Sequence, residues 1–285
     1  MNAKVITDPD EFLVTTTDLF SNEARNNLVL GIAGVMKADP DAYPECNMLI
    51  VEHDGVPVAG ALVTPPRALI LGDADTEEAV TKLVRLAKGL LPRIPGVVGN
   101  RPTVHTFASD WAAVTGDDVS VVMNQGVFAL EAVVRQPRPE GESRAASAAD
   151  SDLLVAWLEE FGREAMPHEE HDHEGLVQTV SARVSADSPS GFWFWCVGGS
   201  PVSVSGHGGP TRTGIRIGPV YTPPEFRGKG YATALVADQS SALLASGYRF
   251  CFLYTDLANE TSNDIYKRIG YAQVAESTVY AFTSR

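Results

Sequence analysis

Cysteine is scarce in this chain: Cys46, Cys196 and Cys251 are the three, and no two are close in sequence. An odd set without a CxxC pair predicts neither a disulfide framework nor a zinc knuckle, and a reducing cytoplasm is the expected compartment. Cys196 and Cys251 lie inside apolar runs, the setting of a small buried hydrophobe. No apolar run is long enough to span a bilayer, and the opening residues MNAKVITDPDEF have no apolar signal-peptide core; no membrane partner is expected. Basic residues are outnumbered, with 22 Lys and Arg against 36 Asp and Glu and a net charge of −14. Such a surface repels polyanions, which argues against nucleic acid as a partner. An anionic ligand can bind only where the few cations or helix dipoles converge. What is present is core material: 285 residues, 44% hydrophobic and 20% charged, enough for two packed domains and unlike a disordered chain.

Residues 135–150, RQPRPEGESRAASAAD, carry two prolines and mixed charge without apolar periodicity, so they read as an exposed linker. The expected domains are therefore 1–134 and 151–285. In the first, the pattern predicts a helix over 18–37 and a hairpin of 47–52 and 56–63 around Asp54-Gly55. A strand over 68–71, helices over 77–90 and 104–114, and one or two strands over 120–134 come next. The second predicts helices over 151–163 and 176–185, a hairpin of 192–197 and 201–206, and a strand over 215–221. Then come a helix (230–246), a strand (249–255), a helix (262–269) and a strand (273–281). The shared order predicts an α/β fold of two similar domains, each a mixed, mostly antiparallel sheet flanked by helices, from a diverged tandem duplication.

The chemistry concentrates in Arg227-Gly228-Lys229-Gly230-Tyr231-Ala232. A strand ends at Val220-Tyr221, Pro223 and Pro224 set a turn, and this glycine-rich basic run opens a helix. Unpaired backbone N–H groups, the helix dipole and glycines that admit close approach together make an anion site. Glycine-rich runs alone also suit turns and nucleotide loops. The segment from Leu253 to Tyr271, LYTDLANETSNDIYKRIGY, adds a strand, an Asn-containing loop and a helix bearing a tyrosine.

Taken together, the two segments resemble the GCN5-related N-acetyltransferases, whose Q/R-x-x-G-x-G/A signature is met by Arg227, Gly230 and Ala232. The resemblance covers 151–285 and implies acetyl-CoA as donor, with no metal, for a two-domain enzyme with one working half. It implies that backbone amides of Arg227, Gly228, Lys229, Gly230, Tyr231 and Ala232 hold the CoA pyrophosphate. Val220 and Tyr221 would pair with the pantetheine amides, Asn259 would bond the cofactor tail, and Tyr266 would protonate the departing thiolate. The implied acceptor is an amine of a small molecule or peptide, attacked directly. Two alternatives stay open: a tandem acetyltransferase resembling mycothiol synthase, and a non-catalytic acyl-CoA sensor. Monomer and homodimer stay equally open.

Other features carry less. Pro167 to Glu174, PHEEHDHE, gathers three histidines and four carboxylates. A solvated acidic loop is preferred over a metal site, and Glu169 or Glu170 is the candidate base for the amine. Phe192-Trp193-Phe194-Trp195 predicts a strand covered on both faces, and His207, near the end of the next strand, reads as a satisfied loop histidine in preference to a residue lining the acceptor site. In the first half, Thr64-Pro65-Pro66-Arg67 echoes Thr222-Pro223-Pro224, but no glycine-rich run comes after it. The acidic Gly72-Asp73-Ala74-Asp75 precedes its helix and would repel pyrophosphate, so only the second domain is expected to keep an intact acetyl-CoA motif.

Overall fold

A computed structural model describes residues 1–165, 172–185 and 188–284. The first half runs β1 (Asn2–Ile6), α1 (Pro9–Thr15), α2 (Glu23–Ala38), β2 (Asn47–His53), β3 (Val56–Val63) and β4 (Leu69–Ala74). It continues with α3 (Glu77–Leu90), β5 (Gly96–Asn100), α4 (Arg101–Thr115) and β6 (Asp118–Leu130). The second half is β7 (Glu142–Ala145), α5 (Ser151–Ala165), α6 (His173–Arg183), β8 (Gly191–Val197), β9 (Ser200–Gly208) and β10 (Gly214–Tyr221). It ends with α7 (Tyr231–Ala245), β11 (Phe250–Asp256), α8 (Glu260–Ile269) and β12 (Ala272–Thr283). Both halves thus read β-α-α-β-β-β-α-β-α-β. Pairing repeats as well: β1, β2, β3 and β4 are successively antiparallel and β4 runs parallel to β5. Likewise β7, β8, β9 and β10 are antiparallel and β10 runs parallel to β11.

The chain forms two compact units that are discontinuous in sequence. One holds Met1–Phe128, Tyr254–Glu260 and Gln273–Arg285; the other holds Ala129–Leu253 and Thr261–Ala272. In the first unit β12, the last strand of the chain, lies beside β5, with Ser277 opposite Asn100 and Ala281 opposite Gly96. Its other neighbour is β6, where Thr278 Oγ1 donates to Asn124 Oδ1 at 3.1 Å. One face of that sheet packs Leu49, Leu71, Val97 and Val84 around Trp111, and the other packs Phe12, Phe20, Met48 and Leu62. In the second unit Phe192, Phe194 and Tyr221 pack with Leu154 and Leu158 of α5, while Trp195 and Val202 pack with Leu235 of α7. The aromatic strand is covered on both faces, as its alternation requires.

Several local expectations differ from the structure. The first long helix starts at Glu23 because Asn22 Oδ1 caps the N–H of Arg25 at 3.2 Å. Leu19 and Phe20 precede it, and the Phe20 ring fills the space that a Cβ at Gly60 or Gly72 would need. Strand β5 was hidden by its glycines: a Cβ at Gly96 would meet the Tyr280 carbonyl of β12, and one at Gly99 the Leu71 carbonyl. Residues 135–150 are largely exposed, and they are also fastened to the second unit. Within them β7 pairs with β8, Arg138 makes two bonds to Asp238 (2.9 and 3.0 Å), and Ser143 adds a third (2.7 Å). Those partners lie from about fifty to a hundred residues away, beyond the reach of a local pattern.

Candidate functional site

The site is built at the end of β10. Its parallel ladder with β11 runs from Gly214↔Phe250 to Arg216↔Phe252. On its other edge a bulge between Ile217 and Val220 shifts the register with β9, leaving Val220 opposite Ser205 and Tyr221 opposite Val204. A bulge bends its strand and re-aims the residues beyond it. Ser203 Oγ holds the turn, donating to the Tyr221 carbonyl (3.1 Å) and lying 2.8 Å from Thr222 Oγ1.

After a short turn at Pro224–Phe226 the chain reaches α7 through two left-handed glycines, Gly228 at φ 76° and Gly230 at φ 81°. Nothing lies within 4 Å of a Cβ built on either. They therefore serve the backbone path and leave the space above the loop open. Gly230 caps α7 without a side-chain hydrogen bond, and no acidic residue sits in the first turn. The amides at the start of α7 point outward with the positive end of the dipole behind them. The equivalent helix of the first half is closed instead. Thr76 caps α3 by accepting from the Ala79 N–H (3.2 Å), and Glu77 and Glu78 occupy its first turn. Asp73, at the end of β4, is tied down by Asn26, Asn100 and Arg25, each at 2.9 Å.

Arg227 is committed inside the second unit. Its guanidinium makes two bonds to the Glu164 carboxylate (2.9 and 2.7 Å), donates from Nε to the Thr222 carbonyl (2.8 Å), and lies over the Tyr221 ring. Tyr221 in turn donates its hydroxyl to Glu160 (2.8 Å). Burial and, secondarily, that bond push the Tyr221 phenol up to about 12. Glu160 and Glu164 were missed from the sequence, although their i,i+4 spacing near the end of α5 was a legible signal. Lys229 donates to the Glu225 carbonyl (3.3 Å) and lies over Phe226.

Tyr266 of α8 is buried, with Tyr271 edge-on at 6.0 Å between ring centres. Burial pushes its phenol up to about 12. The second unit thus contains Val220, Tyr221, the 227–232 loop and Tyr266, whereas Asn259 belongs to the first, where its N–H bonds the Asp256 carbonyl (3.0 Å). Glu169 and Glu170 lie outside the described residues, as do His168 and His171. Of that run, Asp172 caps α6 through the Gly175 N–H, and His173 Nδ1 lies 2.5 Å from Glu159. Among the described residues no cluster of His, Cys, Asp and Glu could hold a metal, and no helix is long and apolar enough to cross a membrane.

His207 is on β9 and not in a loop. Its Nδ1 lies 3.1 Å from Gln239 Nε2, and Ser205 Oγ donates to Gln239 Oε1 at 2.6 Å. Burial, with the Arg183 charge added, lowers its pKa to about 4. The imidazole is neutral at pH 7 and accepts from the Gln239 amide, which places its proton on Nε2.

This strand order and this open helix start define a class: the chain has the fold of the GCN5-related N-acetyltransferases. Residues 211–281, from β10 through most of β12, match the family described as FR47-like protein. Among solved structures, a Drosophila protein aligns over 99% of this chain and 98% of its own, at 12% identity and a TM-score of 0.72. A GCN5-related N-acetyltransferase from Sphaerobacter thermophilus aligns over 98% and 94%, at 16% identity and a TM-score of 0.62. A tandem GNAT protein from the clavulanic acid biosynthesis pathway aligns over 99% and 98%, at 10% identity and a TM-score of 0.56. No curated protein sequence matches the chain. The fold class expected from the sequence, α/β with two GNAT-like halves, is the one observed.

Proposed function

We propose that residues 151–285 carry an acetyl-CoA-dependent N-acetyltransferase, which passes an acetyl group directly to an amine of a small molecule or peptide, and that 1–134 is a degenerate copy. The observation that carries this reading is the start of α7, where left-handed Gly228 and Gly230 leave an open, dipole-backed row of amides without a capping side chain. Backbone amides from Arg227 to Ala232 would hold the pyrophosphate. The edge of β10 at Val220 and Tyr221 would receive the pantetheine amides as an added strand does.

Acetyl-CoA supplies an activated thioester. The chain's own contribution is to position the amine, donate hydrogen bonds to the developing oxyanion from backbone N–H groups, and manage two protons. Tyr266, kept protonated by burial, is suited to giving a proton to a leaving thiolate. Glu169 or Glu170 is the proposed base for the incoming amine, which an acidic chain of net charge −14 attracts as a cation.

Thermal unfolding with and without acetyl-CoA tests the donor site. Wild type gains several degrees at saturating ligand, and Arg227→Glu loses that gain relative to its own ligand-free midpoint; a full gain in the variant removes the loop from the site. Two further readings stay open. The repeated architecture favours a small-molecule acetyltransferase of the mycothiol-synthase kind. A non-catalytic acyl-CoA sensor would use the same open loop without turnover. Turnover over an amine panel that includes thiol-bearing amines separates these, since a sensor turns over none of them.

A further inference from the structure

The Thr64-Pro65-Pro66-Arg67 turn, which has no part in the donor site, borders a cleft of about 480 Å³ in the first unit. That volume lies in the range of small-molecule sites. The cleft forms where β3 turns into β4, where α3 exits toward β5, and at the end of β12. It therefore lies at the opposite end of β4 from Asp73 and the start of α3. Leu91, Ile94, Phe282 and the two prolines give it apolar walls.

Two arginines, Arg67 and Arg93, line this apolar cleft. Two other arginines of the unit are neutralised, Arg25 by Asp73 and Arg101 by Glu276. Arg67 instead lies over the Tyr43 ring and Arg93 donates to the Ser284 hydroxyl; neither makes an ion pair among the described residues. In a chain with fourteen excess negative charges, two cations without carboxylate partners at one cleft are a local reversal of sign. The single acid of the lining, Asp117, has a carboxylate oxygen engaged by the Trp111 indole N–H at 3.1 Å. Guanidinium forks match carboxylate and phosphate oxygens, and apolar walls match a hydrocarbon body.

We propose that this cleft binds an amphipathic organic anion, a carboxylate or phosphate monoester on an apolar body, with Arg67 and Arg93 on the head group and Leu91, Ile94 and Phe282 on the body. The site is independent of the donor loop and needs no turnover to be detected.

Trp111 is a built-in reporter, because its ring stacks on Phe282 (5.7 Å between centres) and its N–H bonds Asp117. The experiment tracks the Trp111 indole N–H signal of the full chain by NMR, assigned with Trp111→Phe, during titration with sodium octanoate, octyl phosphate and neutral octanamide. At least one anion is expected to shift the signal saturably, and the tighter of the two assigns the head group. Octanamide should bind at least about tenfold more weakly, as should the anion to Arg67→Gln or Arg93→Gln, from loss of a charge-assisted bond. Both arginines are exposed, so these variants should fold, and their acetyl-CoA thermal response should equal that of wild type. Equal binding of octanamide, undiminished anion binding in the double variant, or no shift with either anion overturns the proposal.

Discussion

At the scale of single residues, Tyr266 and Arg227 set the two sharpest expectations. Phenylalanine at 266 keeps the ring against Tyr271 and removes only the hydroxyl, so folding should be unchanged. If Tyr266 gives the proton to the thiolate, kcat falls about a hundredfold or more with KM for acetyl-CoA little changed; steady-state kinetics with the best amine decide it. Arg227 and Glu164 are both about half exposed, at 47% and 50%, and such a pair contributes about 0.2–1 kcal/mol to stability. Glu164→Gln should therefore barely move the unfolding midpoint. It releases the guanidinium for pyrophosphate, and calorimetry should show acetyl-CoA binding tighter by up to about fivefold. Weaker binding would mean that Glu164 holds Arg227 in its working position.

His207 predicts a pH effect at the same scale. Its folded pKa of about 4 lies below the ordinary 6.5, so between those values the unfolded chain binds the extra proton. Its contribution is fully present above about pH 6.5 and is lost as pH falls toward 4. His207→Gln should flatten the midpoint-against-pH curve in that window. An unchanged slope would place the imidazole outside the buried network with Gln239.

Among elements, the start of α7 is the informative one. Gly230→Ala meets no atom within 4 Å, so its cost is the left-handed backbone, about 1–2 kcal/mol. The midpoint should drop by a few degrees while acetyl-CoA binding weakens by more than the stability loss, because the loop amides turn away. The legibility of elements obeyed the same logic of locality. The β2–β3 hairpin was readable because Asp54 and Gly55 have to adopt positive φ, and do so at 51° and 81°. Helix α3 occupies the expected span because Thr76 and its acidic first turn mark the start. Strands β5 and β7 left no such mark, since one is shaped by close approach of Tyr280 and Leu71 and the other by pairing with β8.

For the whole molecule, the assignment of β12 to the first unit has a direct consequence. A fragment of residues 1–134 lacks β12 and exposes the β5 edge from Gly96 to Asn100, while the complementary fragment carries β12 without its partner. Unpaired strand edges promote association. Each fragment alone should aggregate or unfold without cooperativity, and co-expression should restore a soluble complex; calorimetry and size-exclusion chromatography read this. A fragment that unfolds cooperatively as a monomer would contradict it.

The sequence alone determined most of the helices and strands of both halves and the glycine-rich loop opening α7, because each depends on residues within a turn or two of one another, and it fixed the acidic charge by composition. Only the tertiary structure decided that Arg227 is held by Glu164, that residues 135–150 are strapped to Asp238, and that the last strand completes the sheet of the first half. Those outcomes depend on hydrogen bonds and close backbone approaches between residues from tens to nearly two hundred positions apart. A linear pattern has no term for such distances.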